Sequence, residues 1–174
     1  MSTNACLLTT TLTLLRIHNA CKPRYVVLSK ALGKGYGDDT PIPLSRIAVT
    51  NGLSDALWCL QATREDFQSI VKPFLRLHYA DVLEHLALSK LPEEIKALLG
   101  RGVTLLRDPA TTDERLRGYA ANAANAAKAA YAAAYAAAND ATNDAAANDA
   151  AAYAAAERAW QKQRFIDRLE GPTP

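Results

Sequence analysis

The chain has 174 residues, of which 49% are hydrophobic and 22% charged, and its formal net charge is +2. That length fits one domain with a real core, and a charge so close to neutrality argues against a polyanionic partner or a nucleic-acid mimic. Three cysteines without a C-x-x-C pair exclude a disulfide framework or zinc knuckle and fit free thiols in a reducing cytoplasm.

The stretch from Ala5 to Leu15 is rich in threonine, lacks a basic n-region and reaches Arg16 and His18 too soon for a membrane span. The expectation is a cytoplasmic protein with no membrane attachment. A first helix is predicted from Leu12 to Asn19, and a second from Pro23 through Tyr25, Val26, Val27 and Leu28 to a stop at Gly33. Gly33, Gly35, Gly37, Asp38, Asp39, Pro41 and Pro43 form a loop. Leu44 to Thr50 reads as a short helix ended by a left-handed cap at Asn51-Gly52.

Leu53, Ala56, Leu57 and Leu60 recur at i, i+3, i+4 and i+7, so the next helix should bury that face, with Trp58 and Cys59 beside it. Thr63 with Asp66 can cap a further helix through Ile70, Phe74, Val82, Leu83 and Leu86, kinked at Pro73. Pro92, Glu93 and Glu94 open another, read as closed by Gly100. No strand is expected.

From Tyr119 to Ala156 the chain is almost all alanine, the residue with the highest helix propensity. Thr111 followed by Glu114 reads as a capping box, and Gly171-Pro172 as the stop. One straight helix over that interval would be roughly 85 Å long. A compact chain of this size is on the order of 40 Å across. An antiparallel hairpin broken at Asn139-Asp140 and Asn143-Asp144 is therefore favoured, with a continuous rod as the alternative. Trp160, Phe165, Ile166 and Leu169 are the bulky apolar residues left to anchor the tail, against the Trp58 and Phe74 helices. The fold expected is all-α: one domain over 1-174, with a short-helix bundle over 1-110 packed against an alanine-rich helix or helical hairpin over 111-171.

The string Asn51-Gly-Leu-Ser-Asp-Ala-Leu-Trp-Cys-Leu-Gln-Ala-Thr63, preceded by Gly35-Tyr-Gly-Asp-Asp-Thr-Pro-Ile42, resembles a family of small bacterial and prophage alanine-rich helical proteins. Ala110-Thr-Thr-Asp-Glu-Arg-Leu116 and Trp160-Gln-Lys-Gln-Arg-Phe165 extend the resemblance over most of the chain after about Lys22. Some members are described as immunity proteins. The resemblance implies binding and neutralising a partner, and it carries over no catalytic residue. This chain departs from it in an unusually uncharged alanine region, with Asn and Tyr in place of Arg or Asp.

The candidate chemistry is sparse. His78, Asp81 and His85 share a helical stripe, but imidazoles seven residues apart lie about 10 Å apart along the axis, too far for one ion. No metal, cofactor or catalytic residue is expected. Cys59 reads as a small buried hydrophobe and Cys21 with His18 as an ordinary helix end. Gly33 to Gly37 lacks the spacing of a phosphate loop; an anion bound there would use Arg24, Lys30 and Lys34. Tyr131 and Tyr135 form a stripe that, with Asn139 and Asn143, suits a protein-binding face. The reading is a non-catalytic phage or prophage accessory protein that occludes a host defence or toxin protein, as a monomer or small homo-oligomer. The alternatives are a nucleotide or nucleic-acid binder using the basic N-terminal third, a less favoured partner class, and a structural or assembly protein.

Overall fold

A computed structural model describes residues 8–88, 91–125 and 144–171. They are overwhelmingly helical, and the fold is all-α. The chain forms two compact units: residues up to Phe74 together with those from Glu157, and the stretch Leu75–Ala156.

In the first unit the described residues begin with a short extended segment ahead of the first helix. β1 (Thr9–Thr10) pairs antiparallel with β2 (Ile42–Pro43), Thr9 opposite Pro43 and Thr10 opposite Ile42. This corrects the expectation of no strand. Alternation is invisible over two residues, and the pairing is specified by side chains far along the sequence. The Glu65 carboxylate accepts from the Thr9 N–H at 3.0 Å and the Thr9 hydroxyl at 2.8 Å. The buried Thr10 hydroxyl donates to the Ala62 carbonyl at 2.5 Å.

Helix α1 (Leu12–Ile17) starts where the Thr11 side chain accepts the Leu14 N–H. It stops two residues before the expected Asn19, which is left-handed at φ 57°. The Asn19 and Ala20 N–H groups donate back to Arg16 and Leu15, the paired bonds of a Schellman end. Helix α2 (Lys22–Leu32) has its proline in the first turn and ends at Gly33, as the sequence predicts. Helix α3 (Leu44–Thr50) also matches.

Gly52, at φ 96° and ψ 167°, makes the reversal into α4 (Leu53–Cys59), a backbone position that side chains resist. The buried face of α4 and its following 3-10 turn (Leu60–Ala62) is Ala56, Cys59 and Leu60. Leu53 and Leu57 are only half-buried, and Trp58 is exposed. Over so short a helix, two apolar stripes a residue apart fit the pattern equally. Packing on the buried Ile47 and Ala48 of α3 selects the one with the small Ala56.

Thr63 does not cap the next helix; its hydroxyl donates to Leu60. Asp66 is the cap, accepting from both the N–H and the hydroxyl of Ser69. A π turn (Phe67–Val71) then runs directly into α5 (Lys72–Ala87), with Pro73, which has no N–H to donate, at the junction of the two. Phe74 meets Phe165 edge to face, ring centroids 5.4 Å apart. Phe165, Ile166 and Leu169, near the end of α8 (Asp144–Glu170), are all buried. The tail therefore anchors at the Phe74 helix, and Gly171 at φ 82° ends it. The tail's Arg158 and Lys162 also line a groove with Leu53 and Leu57 of α4.

In the second unit, α6 (Glu93–Arg107) passes straight through Gly100. The apolar stripe Ile95, Leu98, Leu99, Gly102, Leu105 and Leu106 continues beyond it, so the glycine cannot end the helix. Gly102 is buried because Leu83 and Tyr119 sit where a side chain would go. Helix α6 stops at Asp108, whose carboxylate accepts from the Ala110 N–H and the Thr111 hydroxyl. The next helix, α7, runs over 113–125. Its cap is Thr112, which accepts the Arg115 N–H, and not Thr111, whose hydroxyl is already spent on Asp108. Residues 126–143, with the expected break, lie outside the described residues.

One side chain closes this unit. The Arg76 guanidinium donates to the carbonyls of Leu106 at 3.2 Å, Leu105 at 3.0 Å, Asp108 at 2.5 Å and Thr111 at 3.0 Å. It satisfies the carbonyls that the end of α6 leaves open and places positive charge at the negative end of the helix. Arg76→Met keeps the aliphatic stem and removes all four bonds. It should lower stability by about 2–4 kcal/mol in a urea melt, since bonds to charged groups are worth about 1.5–3 kcal/mol and buried orphans cost more. Arg76→Lys, a compact cation without the fork, should recover less than half.

Candidate functional site

Where α2, α3 and α4 converge, Asn51 at the end of α3 ties the other two together. Its side-chain Nδ2 donates to the Arg24 carbonyl of α2 at 2.9 Å and to Asp55 Oδ2 of α4 at 3.0 Å. Between these helices and the end of α1 is a pocket of about 250 Å³. Buried Leu15, Leu28 and Ile47 form its floor, and Trp58 lines one side. Its charged residues are Arg24 and Asp55, with Arg24 Nε 3.8 Å from Asp55 Oδ2. The Asp55 side chain is 21% exposed and that of Arg24 59%.

Cys59 also lines the pocket, and burial, helped by the Asp55 charge, pushes its thiol up to about 12. At neutral pH it is protonated and acts as a small apolar wall. Cys21, at the start of α2, is exposed.

The residues proposed for an anion do not meet at one point. Arg24 lies in the first turn of α2 beside Asp55, whereas Lys30 is in its last turn, about 9 Å further along the axis. Lys34 follows Gly33 in the loop and is exposed. In that loop the Tyr36 and Thr40 N–H groups donate to Gly33 and Gly37, closing turns instead of facing a ligand. The Tyr36 hydroxyl donates to Pro41 at 2.8 Å, and Arg46 stacks 5.8 Å from its ring. The basic N-terminal third is further reduced by the Arg16–Asp38 pair at 2.6 Å.

His78 is buried and lies 5.9 Å from the Tyr79 ring. Asp81, on the same stripe, faces Arg107 at 3.4 Å, and Arg107 also binds Glu84 at 2.5 Å. Among the described residues no group of three His, Cys, Asp or Glu side chains could hold a metal ion. Tyr119 packs inward, its hydroxyl donating to Leu98 at 3.0 Å, and desolvation raises its pKa. Tyr131, Tyr135, Asn139 and Asn143 lie outside the described residues.

The first unit also leaves large aliphatic side chains in water. Ile17 and Val49 are each 65% exposed, and Val26 and Val27 nearly half. Among the described residues no helix is long and apolar enough to cross a membrane.

Sequence reasoning missed the Asn51–Asp55 pair. Its signal was present as two polar residues at i and i+4 across the Asn-Gly turn, hidden because Asn51 with Gly52 reads as a cap. No family model, curated protein or solved structure matches the chain.

The thiol environments predict selective chemistry. Iodoacetamide on the native protein at pH 8, followed by peptide mass mapping, should modify Cys21 and leave Cys59 unmodified until denaturant is added. Comparable native labelling of both would contradict the burial of Cys59.

Proposed function

We propose that the protein is a non-catalytic binding protein, a phage or prophage accessory factor that occupies a host defence or toxin protein in the cytoplasm and inhibits it by occlusion. The observation that carries this reading is the exposure of Ile17, Val26, Val27 and Val49 in a unit whose core is otherwise well buried. Aliphatic groups left in water gain about 25 cal/mol per Å² when a partner covers them. The resemblance to prophage and immunity proteins supports the same reading, as does the stripe of Tyr131 and Tyr135 in the sequence.

The nucleic-acid alternative is less well supported, because Arg16 is paired with Asp38 and Arg24 and Lys30 lie at opposite ends of α2. A phosphate-binding surface needs cations clustered and free to displace counterions. An assembly role would require a stable homo-oligomer, which light scattering reads directly.

Affinity capture from host cells tests the proposal. A Val27→Lys/Val49→Lys variant and a Tyr131→Ala/Tyr135→Ala variant should each retain about a tenth or less of the captured partner, a loss of about 1.4 kcal/mol or more. Their melting temperatures should stay within about 2 °C of the parent. The purified pair should form a complex of fixed stoichiometry. Undiminished capture by both variants would remove the proposed surface, and a collapsed melt for the tyrosine variant would assign those residues to the core.

A further inference from the structure

The pocket among α1–α4 is small. Pockets for drug-sized ligands run about 300–1,000 Å³, so 250 Å³ suits a molecule the size of a single residue. Its floor of Leu15, Leu28 and Ile47 calls for an apolar body, and Trp58 offers an aromatic side wall.

The two charges decide the rest. Asp55 Oδ2 takes the Asn51 bond, whereas Oδ1 receives no hydrogen bond from the described residues. The Arg24 guanidinium sits 3.8 Å from Oδ2, beyond hydrogen-bond reach, and none of its N–H groups has an acceptor among the described residues. A carboxylate oxygen and a guanidinium fork therefore stand side by side with open hydrogen-bonding capacity. An amine alone would meet Asp55 favourably and Arg24 unfavourably, and a carboxylic acid would do the reverse. A zwitterion with ammonium and carboxylate one carbon apart answers both.

We infer that this pocket binds a free α-amino acid with an apolar side chain. The ammonium donates to Asp55 Oδ1, the carboxylate takes the Arg24 fork, and the side chain lies on Leu15, Leu28 and Ile47. Asn51 is a positioning residue that fixes the Asp55 carboxylate through Nδ2. None of its lining residues is one of the exposed aliphatic residues of the partner-binding surface, so either assignment can fail without the other.

Isothermal titration of the full chain with L-phenylalanine and L-leucine tests it, with phenethylamine and 3-phenylpropionate as single-charge analogues. The expected result is saturable one-to-one binding of an amino acid, weakened about tenfold or more for both analogues. Asp55→Asn and Arg24→Gln should each weaken it similarly, and Ala20→Phe, which fills the pocket, should abolish it. Circular dichroism melts verify that the variants fold. Should Asp55→Asn fail to fold, Arg24→Gln at its exposed position carries the comparison. The assignment is overturned by no binding of either amino acid up to about 10 mM, by phenethylamine or 3-phenylpropionate binding as tightly as phenylalanine, or by undiminished binding to a folded Arg24→Gln.

Discussion

Burying an extended segment removes backbone and hydroxyl groups from water, and each one left without a partner costs about 1–3 kcal/mol. Leu8, Thr10 and Thr11 are all buried in the first unit, and of the five hydrogen bonds that Leu8, Thr9 and Thr10 make outside the β1–β2 pair, four come from residues 62–65. The Thr9 carbonyl accepts the Arg64 N–H at 3.0 Å, the Glu65 carboxylate takes both Thr9 donors, and the Ala62 carbonyl takes the Thr10 hydroxyl. On the other side, the Leu8 carbonyl accepts the Leu44 N–H that begins α3. The segment thus fixes the start of α3 relative to the end of α4. Those are the helices whose facing residues, Asn51 and Asp55, hold the charged edge of the pocket.

The second unit uses a different device. Here Gly102 lets Leu83 and Tyr119 pack directly against the α6 backbone, and a single guanidinium collects the carbonyls that the end of α6 exposes. The alanine segments need little of either. Propensity forms α8, whose 27 residues are mostly small and uncharged until Glu157. Attachment falls to Phe165, Ile166 and Leu169, which carry the bulk that alanine lacks. Formation and docking of the same helix are therefore encoded in separate stretches of sequence.

This separation explains what was legible. Helices whose ends are local chemistry, such as Pro23 to Gly33 and Leu44 to Thr50, could be read directly, as could the role of Phe165 as an anchor. Where two neighbouring residues could both cap, as with Thr111 and Thr112, the choice was made by Asp108 taking one hydroxyl. Gly100 misled because a glycine stops a helix only when the apolar stripe stops with it. The strand pairing and the Arg76 cap join residues 29 or more positions apart, and no periodicity reports such a bond. The pocket was hidden for the same reason: Arg24, Asn51 and Asp55 acquire a common purpose only after Gly52 turns α4 back on α3.

The measurement that bears most directly on this account is the stability of Thr10→Val by urea denaturation. The substitution keeps the shape of the side chain and deletes only the hydroxyl that donates to Ala62. A loss of about 1–2 kcal/mol is predicted, because a buried carbonyl is left without its partner. A variant as stable as the parent would contradict the claim that this buried strand holds the first unit together.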